Sequence, residues 1–440
     1  MLSNPQIFRK SISKCFFFKK KAFANVFFVF LRLIQRFTNM DYNDIKQLYD
    51  NSIRKITTVK TDFKRYLYTQ INWKNRLIGI KGGRGVGKTT LILQHIKETF
   101  ADLEKVLYVS VDDLWFSSHS IFDLVEYHYT HGGTHIFFDE IHRFRQWQTM
   151  LKNIYDKYDD LYIVYTGSSL LELDVREGDL SRRLRVYQLY GMSFREFLCF
   201  ESVLNIKPIT LDILIKNHLN IASEHVSQVK ILPLFEQYLQ HGYYPYYSEE
   251  GDGYFSRLQS TIRQVLDADL PEIEDVSYAT IQKIKKMLMI LAERVPQTPK
   301  MNELYAQLET GRDSGLKMLQ LLDRAGLIAL LRSESKSFKQ MYKPDKIYLG
   351  DTNLSFCLSN AVNIGTLRET FFYNQLKVQH SLVLPSQGDF KVDGKWLFEV
   401  GGQNKDFSQI KDEPNSYLAI DETEYGHKNK IPLWMFGLLY

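Results

Sequence analysis

The feature that most constrains this chain is a glycine-rich loop at residues 82–89, which matches the phosphate-loop pattern G-x-x-x-x-G-K-[ST]. An apolar run at 77–81 precedes the loop and predicts a buried strand, and residues 90–96 predict the start of a helix. Glycine lets the backbone approach an anion closely, and the following helix offers its N–H groups and positive end to phosphate oxygens. The stretch therefore predicts a nucleotide site at a strand–loop–helix junction.

The same pattern predicts which residues contact ATP and its Mg²⁺. Lys88 is expected to reach the β- and γ-phosphates, and the Thr89 hydroxyl is expected to bind Mg²⁺. The full set of predicted nucleotide contacts is Gly82, Gly83, Arg84, Gly85, Val86, Gly87, Lys88, Thr89 and Thr90.

Two carboxylates, Asp139 and Glu140, follow a predicted buried strand at 135–138. Asp139 is expected to bind the Mg²⁺ shell, and Glu140 is expected to polarise the attacking water. Acidic residues often end strands at the surface, so the pair alone is a weak signal. Its place about 50 residues after the glycine-rich loop makes it a strong one.

Two further features leave alternatives open. Ser168 follows a predicted strand at 162–165, where its hydroxyl either contacts the γ-phosphate or the attacking water, or caps the next helix. Arg182 and Arg183 precede a predicted strand at 186–190. They form a solvated edge, or they supply positive charge to a phosphoryl-transfer transition state.

These motifs, followed by the Gly-Met-Ser-Phe-Arg-Glu-Phe stretch at 191–197, resemble the prokaryotic AAA-type ATPases. The closest resemblance is to the subgroup with a C-terminal domain of uncharacterised function, and it covers roughly residues 45–440. It implies that Lys88 and Thr89 are Walker A residues, Asp139 and Glu140 the Walker B pair, and Ser168 the sensor. It also implies a catalytic arginine at Arg183, although Arg182 stands where the subgroup has glycine.

We therefore expect an α/β chain with a P-loop NTPase core, a parallel sheet flanked by helices. The predicted units are an N-terminal extension at 1–39, a P-loop ATPase domain at 40–200, a helical lid at 201–290, a winged-helix-like domain at 291–345 and a small nuclease-like α/β domain at 346–440.

The extension at 1–39 contains eight Lys or Arg residues and no acid, so the rest of the chain has a net charge of 5 − 8 = −3. Its apolar run at 22–31 is shorter than the about 20 residues that span a bilayer. The alternatives are a signal peptide without a small-residue cleavage site, a basic interfacial helix, or translation that starts at Met40 instead. We favour the last and expect no stable membrane insertion.

Composition also bears on localisation and partners. Three widely spaced cysteines indicate neither a disulfide framework nor a zinc site, and we expect a cytoplasmic protein. The expected partners are ATP and an unidentified protein, and the chain is a candidate oligomer. DNA is an open but not favoured partner, suggested by the basic residues Lys317, Arg324, Arg332, Lys336 and Lys339. The tyrosines at 243–246 are expected to pack in the lid rather than stack on bases.

The tail carries Glu369, Asp389 and Glu399 in the order of a metal-dependent nuclease. Gly401 stands where such an enzyme has its lysine, and Lys405 comes four residues too late on the strand. We therefore expect a degenerate nuclease-like domain that does not cleave DNA.

These features together predict an ATP-binding, Mg²⁺-dependent ATPase that acts as a conformational motor or switch. One alternative is a slow nucleotide-gated binding module in a DNA-associated or defence setting. Another is an active nuclease fused to a nucleotide switch.

Overall fold

The apolar run before the glycine-rich loop forms strand β1 (Leu77–Gly82), and helix α2 (Lys88–Thr99) follows the loop as predicted. The computed structural model describes residues 42–170, 182–294, 300–334 and 344–440. The predicted N-terminal extension at 1–39 lies outside these residues, as do Met40, Lys336 and Lys339.

Within the described residues, five parallel strands form the first sheet. Besides β1 they are β2 (Val106–Ser110), β3 (His135–Asp139), β4 (Tyr162–Ser168) and β5 (Arg185–Leu189), and their order in the sheet is β2-β3-β4-β1-β5. Strands β1 to β4 are buried on both faces and are almost continuously apolar, as parallel strands between two helical layers must be. The predicted α/β class with a P-loop NTPase core is confirmed.

Helices cover both faces of this sheet. They include α1 (Tyr42–Thr58), α2, α3 (Ile121–Thr130) and α4 (Trp147–Lys157). Because side chains alternate along a strand, neighbouring residues enter different cores. Phe137 packs into the core that contains α2, and Phe138 packs into the core that contains α3 and α4. Parallel strands also bring their carboxyl ends to one edge, where the predicted site residues meet.

A helical region at 194–273, which we call the lid, follows the sheet; it overlaps the lid predicted at 201–290, and its movement as a lid stays a prediction. Its helices are α5 (Phe194–Phe200), α6 (Leu211–Val226), α7 (Ile231–His241), α8 (Tyr247–Glu250), α9 (Tyr254–Gln264) and α10 (Leu270–Ile273), and a π-helical turn (Val265–Asp269) joins the last two. Ser193 and Glu196 form a reciprocal capping box at the start of α5. Tyr243, Tyr244 and Tyr246 are each 8% exposed, which confirms that they pack rather than offer surface for bases.

The next unit combines helices with a small antiparallel sheet. It consists of α11 (Tyr278–Arg294), α12 (Met301–Gln307), α13 (Arg312–Arg324), β6 (Ile328–Leu331) and β7 (Lys346–Leu349). Helix α11 crosses the predicted boundary at 290/291, and β7 lies beyond the predicted end at 345, so those boundaries are wrong. Lys317 and Arg324, two of the basic residues considered for DNA, both pair with Glu274, at 3.9 and 2.7 Å.

The C-terminal unit contains two helices and a mixed sheet. Its elements are α14 (Thr352–Leu358), α15 (Ile364–Leu376), β8 (Leu382–Val383), β9 (Phe390–Val392), β10 (Trp396–Gly401), β11 (Ser416–Ile420) and β12 (Lys430–Pro432). The order of the strands in the sheet is β12-β11-β10-β9-β8. Strand β9 is antiparallel to both neighbours, whereas β10, β11 and β12 run parallel. The last residues return to the start of α5, where the Tyr440 carbonyl accepts a hydrogen bond from Ser193 Oγ at 2.6 Å.

In the described ranges, no helix combines the length and the apolar character that crossing a membrane requires.

Candidate nucleotide-binding site

The glycine-rich loop has a backbone that only glycine adopts easily at two positions. Gly85 and Gly87 have φ angles of 82° and 97°, in the left-handed region where a Cβ atom is strained. A Cβ atom on Gly85 would also lie 2.5 Å from the ring of Tyr246 in the lid. The loop ends at Gly87, the residue before α2, so the free N–H groups of that helix face the loop. Thr90 lies in the first turn of α2, and its side chain is exposed.

Lys88 lies inside this loop and is 6% exposed. Its Nζ donates hydrogen bonds to the carbonyl oxygens of Gly82 and Gly83, both at 3.0 Å. Burial lowers the pKa of Lys88, although the carboxylates of Glu140 and Asp139 act in the opposite direction. The geometry thus holds an ammonium group where the loop would wrap a phosphate chain.

Asp139 ends β3 and is 3% exposed. Its Oδ2 accepts hydrogen bonds from Thr89 Oγ1 and from the Tyr108 hydroxyl, each at 2.7 Å. Its Oδ1 accepts one from Thr166 Oγ1. Burial, together with the Asp139 charge, raises the pKa of Tyr108, so this hydroxyl remains a donor. The predicted pair Thr89 and Asp139 is therefore brought together, although these residues are 50 positions apart.

The Thr89–Asp139 pair fits Mg²⁺. The ion is usually held by one or two protein oxygens and completed by substrate phosphates and water. A hydroxyl and a carboxylate that already touch at the loop provide such a donor set. In the part of the chain that the structure describes, no group of three or more His, Cys, Asp or Glu side chains is arranged to hold a metal by itself.

Glu140 follows Asp139 with a φ angle of 57°, which is uncommon for a residue with a side chain. Its Oε2 lies 3.3 Å from His142 Nε2 and 3.9 Å from Arg84 Nη1. Its backbone N–H donates to Thr166 Oγ1 at 3.1 Å. Strained backbone of this kind often marks a functional position. Thr166 contacts both acidic residues and so fixes them relative to each other.

A buried aspartate from the lid, Asp269, completes the site and was not predicted. It is 2% exposed and ends the π-helical turn, a structure that often marks functional sites. Its Oδ1 lies 3.0 Å from Arg143 Nη2, 3.4 Å from Arg84 Nη1 and 3.8 Å from His142 Nε2. Burial alone would raise the pKa of Asp269, but His142, Arg84 and Arg143 outweigh it and lower that pKa. Because Asp269 lies 185 positions from Arg84, no local pattern indicates the contact.

Ser168 lies at the carboxyl end of β4, in register with Gly82 of the loop. Its Oγ accepts the Leu170 N–H at 3.2 Å within the turn that follows β4. The helix that it was predicted to cap lies outside the described residues. Thr166, rather than Ser168, makes the contacts to the acidic pair. A contact of Ser168 with a γ-phosphate stays a prediction.

Arg183 lies at the other edge of the sheet. It precedes β5, whose first residue, Arg185, pairs with Ile78 near the start of β1. At 3.3 Å per residue, this places Arg183 roughly 20 Å from the loop. Its guanidinium pairs with Asp156, at 2.9 Å, and Arg182 beside it is exposed. Arg183 therefore does not reach the loop of its own chain, and a catalytic role for Arg183 or Arg182 stays a prediction.

The predicted acidic residues of the tail also meet, but with lysines among them. Lys346 Nζ, from β7, pairs with Glu369 and lies 3.4 Å from Asp389 Oδ1. Lys405 Nζ lies 2.5 Å from Glu399 Oε1. Lys405 lies beyond β10, which ends at Gly401, as expected, and its side chain reaches Glu399 from the following loop.

The space for that lysine exists because residue 401 is glycine. A Cβ atom on Gly401 would lie 2.8 Å from Cβ and Cγ of Lys405. An ammonium therefore reaches Glu399 from the following loop. The second ammonium, from Lys346, lies between Glu369 and Asp389, where a divalent ion would have to bind.

Two protein family models match parts of the chain, and the first covers the nucleotide-binding loop. Residues 74–198 match the family model described as AAA domain, and residues 232–364 match the model described as Domain of unknown function (DUF8612). The first match includes the glycine-rich loop and Asp139, so this part of the chain is an AAA-type P-loop domain. The second description names no activity, and a nuclease-like C-terminal domain stays a prediction.

Two archaeal relatives are uncharacterised. The chain is 27% identical over 320 residues to the uncharacterized protein MJ1637 of Methanocaldococcus jannaschii, covering 70% of this chain and 65% of that protein. It is 22% identical over 350 residues to the uncharacterized protein MJ1544 of the same organism, covering 76% of this chain and 74% of that protein. The chain thus spans slightly less than two thirds of the first relative.

Solved structures give weaker similarities. AMPPCP-bound DnaA from Aquifex aeolicus is 14% identical, with 58% of this chain and 84% of that chain covered and a TM-score of 0.24. The Hsp104–ADP complex of S. cerevisiae is 14% identical, with coverages of 64% and 39% and a TM-score of 0.23. Similarities at this level carry no argument about this chain.

Proposed function

We propose that this chain binds ATP with Mg²⁺ in the loop at 82–89 and hydrolyses it. One observation carries the proposal: the Thr89 hydroxyl of the loop touches Asp139 at 2.7 Å, and Glu140 follows directly at the same sheet edge. Phosphate binding, metal binding and water activation are then provided within one small region. The AAA domain match over 74–198 supports the same activity.

In this proposal the residues divide the reaction between them. The loop N–H groups and Lys88 bind the phosphates, and Thr89 and Asp139 hold Mg²⁺, which would neutralise phosphate charge. Glu140 orients a water molecule and takes its proton as the water oxygen attacks the γ-phosphorus. The bond from that phosphorus to the bridging oxygen breaks, and its electron pair stays on ADP. The products are ADP and inorganic phosphate.

The lid provides a route from hydrolysis to movement. Tyr246 packs against Gly85, and Asp269 pairs with Arg84, so the lid touches the loop at two points. A γ-phosphate that changes either contact would favour one lid position over another. We therefore propose a conformational motor or switch that acts on a protein partner in the cytoplasm, with oligomerisation as a further proposal.

Phosphate release by the full chain with ATP and Mg²⁺ tests this function. We expect Mg²⁺-dependent release that DNA does not change, and its loss in Lys88→Ala. Turnover on the order of 1 s⁻¹ or faster would support a motor, whereas much slower turnover would support the nucleotide-gated binding module. Release that is absent from the parent, or equal in Lys88→Ala, contradicts the proposal.

A further inference from the structure

Many phosphoryl-transfer enzymes add an arginine to the lysine and Mg²⁺ that surround the γ-phosphate. An arginine at this position stabilises the charge that develops in the transition state. Arg183 cannot reach the loop of its own chain, because it lies at the opposite sheet edge and pairs with Asp156. Another arginine, Arg84, lies beside Glu140 in the same chain.

Arg84 lies within the phosphate loop itself. Its side chain is 27% exposed, and its Nη1 lies 3.9 Å from Oε2 of Glu140, the group proposed to hold the attacking water. Because the γ-phosphate is attacked by that water, the Arg84 guanidinium lies next to the region where the γ-phosphate is proposed to bind.

The contact between Arg84 and the lid is loose. Arg84 Nη1 lies 3.4 Å from both oxygens of Asp269, longer than a charged hydrogen bond of about 2.8 Å. Arg143 binds the same carboxylate at 3.0 Å, and His142 Nε2 is also near it. Asp269 therefore keeps a cationic partner when Arg84 leaves. Moving the Arg84 side chain away from Asp269 therefore costs less free energy than breaking an isolated buried ion pair.

We propose that Arg84 is a catalytic residue that stabilises the transition state within its own chain, and that Asp269 is the positioning residue that holds it ready. This rests on the proposed ATPase function. When ATP is bound, the Arg84 guanidinium moves from Asp269 to the γ-phosphoryl oxygens and neutralises their charge as the bond to ADP breaks. Since Asp269 belongs to the lid, the position of the lid decides how far Arg84 can move.

The competing interpretation is that Arg84 only fastens the lid to the loop. The two interpretations differ in what Arg84 contacts during the reaction, and a transition-state mimic separates them. ADP with aluminium fluoride imitates the transferring phosphoryl group. We compare binding of ATP, ADP and ADP–aluminium fluoride, together with kcat, in Arg84→Ala, Arg84→Lys, Asp269→Asn and Arg143→Ala.

Arg84→Ala is expected to lower kcat by about 10²- to 10³-fold, with a similar loss of affinity for ADP–aluminium fluoride. Its ATP affinity is expected to change only a few-fold, and Arg84→Lys is expected to recover part of both losses. Arg143→Ala is the matched control, since it removes another partner of Asp269 but no loop residue. It should retain the preference for ADP–aluminium fluoride over ADP. Asp269→Asn should lower kcat with little effect on KM.

Parent-like kcat and parent-like affinity for ADP–aluminium fluoride in Arg84→Ala would overturn the role proposed for Arg84 and leave the proposed ATPase function standing. The same losses in Arg84→Ala and Arg143→Ala would show a fastening role and would also overturn it. A parent chain that neither binds nor hydrolyses ATP would instead overturn the proposed function, and this inference with it. Circular dichroism of each variant confirms that the fold is retained.

Discussion

Single residues of the loop are constrained in two ways, by backbone conformation and by the lid. Gly85 has a left-handed φ and lies under Tyr246, whereas a Cβ atom on Gly83 would have its nearest neighbour, Val86 Cγ1, at an ordinary 3.5 Å. We therefore expect Gly85→Ala to weaken ATP binding by about tenfold, since the left-handed conformation alone costs 1–2 kcal/mol. Gly83→Ala is the control and should lose much less. Titration with ATP checks this, and equal losses would contradict it.

A buried ion pair fixes the approach to the loop. Arg65 and Glu196 are 5% and 1% exposed, their closest contact is 3.1 Å, and Arg65 also donates to the Val86 carbonyl. Arg65→Ala leaves a buried carboxylate without its partner, which typically costs about 3–5 kcal/mol of the free energy of unfolding. The adjacent Lys64 forms an exposed pair with Glu98, so Lys64→Ala should cost less than about 1 kcal/mol. Urea unfolding compares them, and similar costs would contradict the argument.

At the scale of elements, the sequence predicts what local pattern determines. Strands β1 to β4 of the first sheet could be predicted because each is buried on both faces and reads as a short, largely apolar run. The acidic pair could be predicted because both residues directly follow such a run. The position of the third acid, Asp269, could not be predicted. It depends on a π-helical turn and on contacts with Arg84 in the loop and with Arg143 in the segment after β3. Lys405 lies beyond the strand as expected, but its contact with Glu399 could not be predicted, because strand register does not describe a loop that folds back.

A buried aspartate at the start of helix α14 is expected to make the stability of the fold depend on pH. Asp351 caps this helix, accepts the Tyr244 hydroxyl at 2.9 Å and is 1% exposed. Burial raises its pKa to about 6, above the usual value of about 3.9. The native state therefore binds a proton that the unfolded chain has released, so this group's contribution to stability is present below about pH 4 and declines as pH rises to about 6.

Asp351→Asn removes that titration while it keeps a capping side chain. Relative to the parent, the variant should gain stability between pH 4.5 and 7, by up to roughly 3 kcal/mol. Urea unfolding of both chains across this pH range measures the difference. A difference that stays constant with pH would show that Asp351 does not titrate in this window.

At the scale of the whole molecule, the C-terminal unit is a packed part of the chain with its acidic residues paired. Lys346 links β7 to Glu369 and Asp389, and Lys405 pairs with Glu399. We expect no cleavage of supercoiled or linear DNA with Mg²⁺ or Mn²⁺, because Lys346 lies where the metal would bind. Cleavage that disappears in Asp389→Ala would show an active nuclease, and its loss in Lys405→Ala would identify the lysine that takes part.

In the proposed mechanism, Lys88 binds phosphate and Glu140 activates water, so the two tasks can be separated by substitution. The most direct test is single-turnover hydrolysis of bound ATP by the parent and by Glu140→Gln, with ATP affinity measured on the same samples. We expect parent-like affinity in Glu140→Gln and hydrolysis slowed by at least about 10²-fold, because the amide cannot take the proton of the water. Hydrolysis at the parent rate in Glu140→Gln would contradict this mechanism.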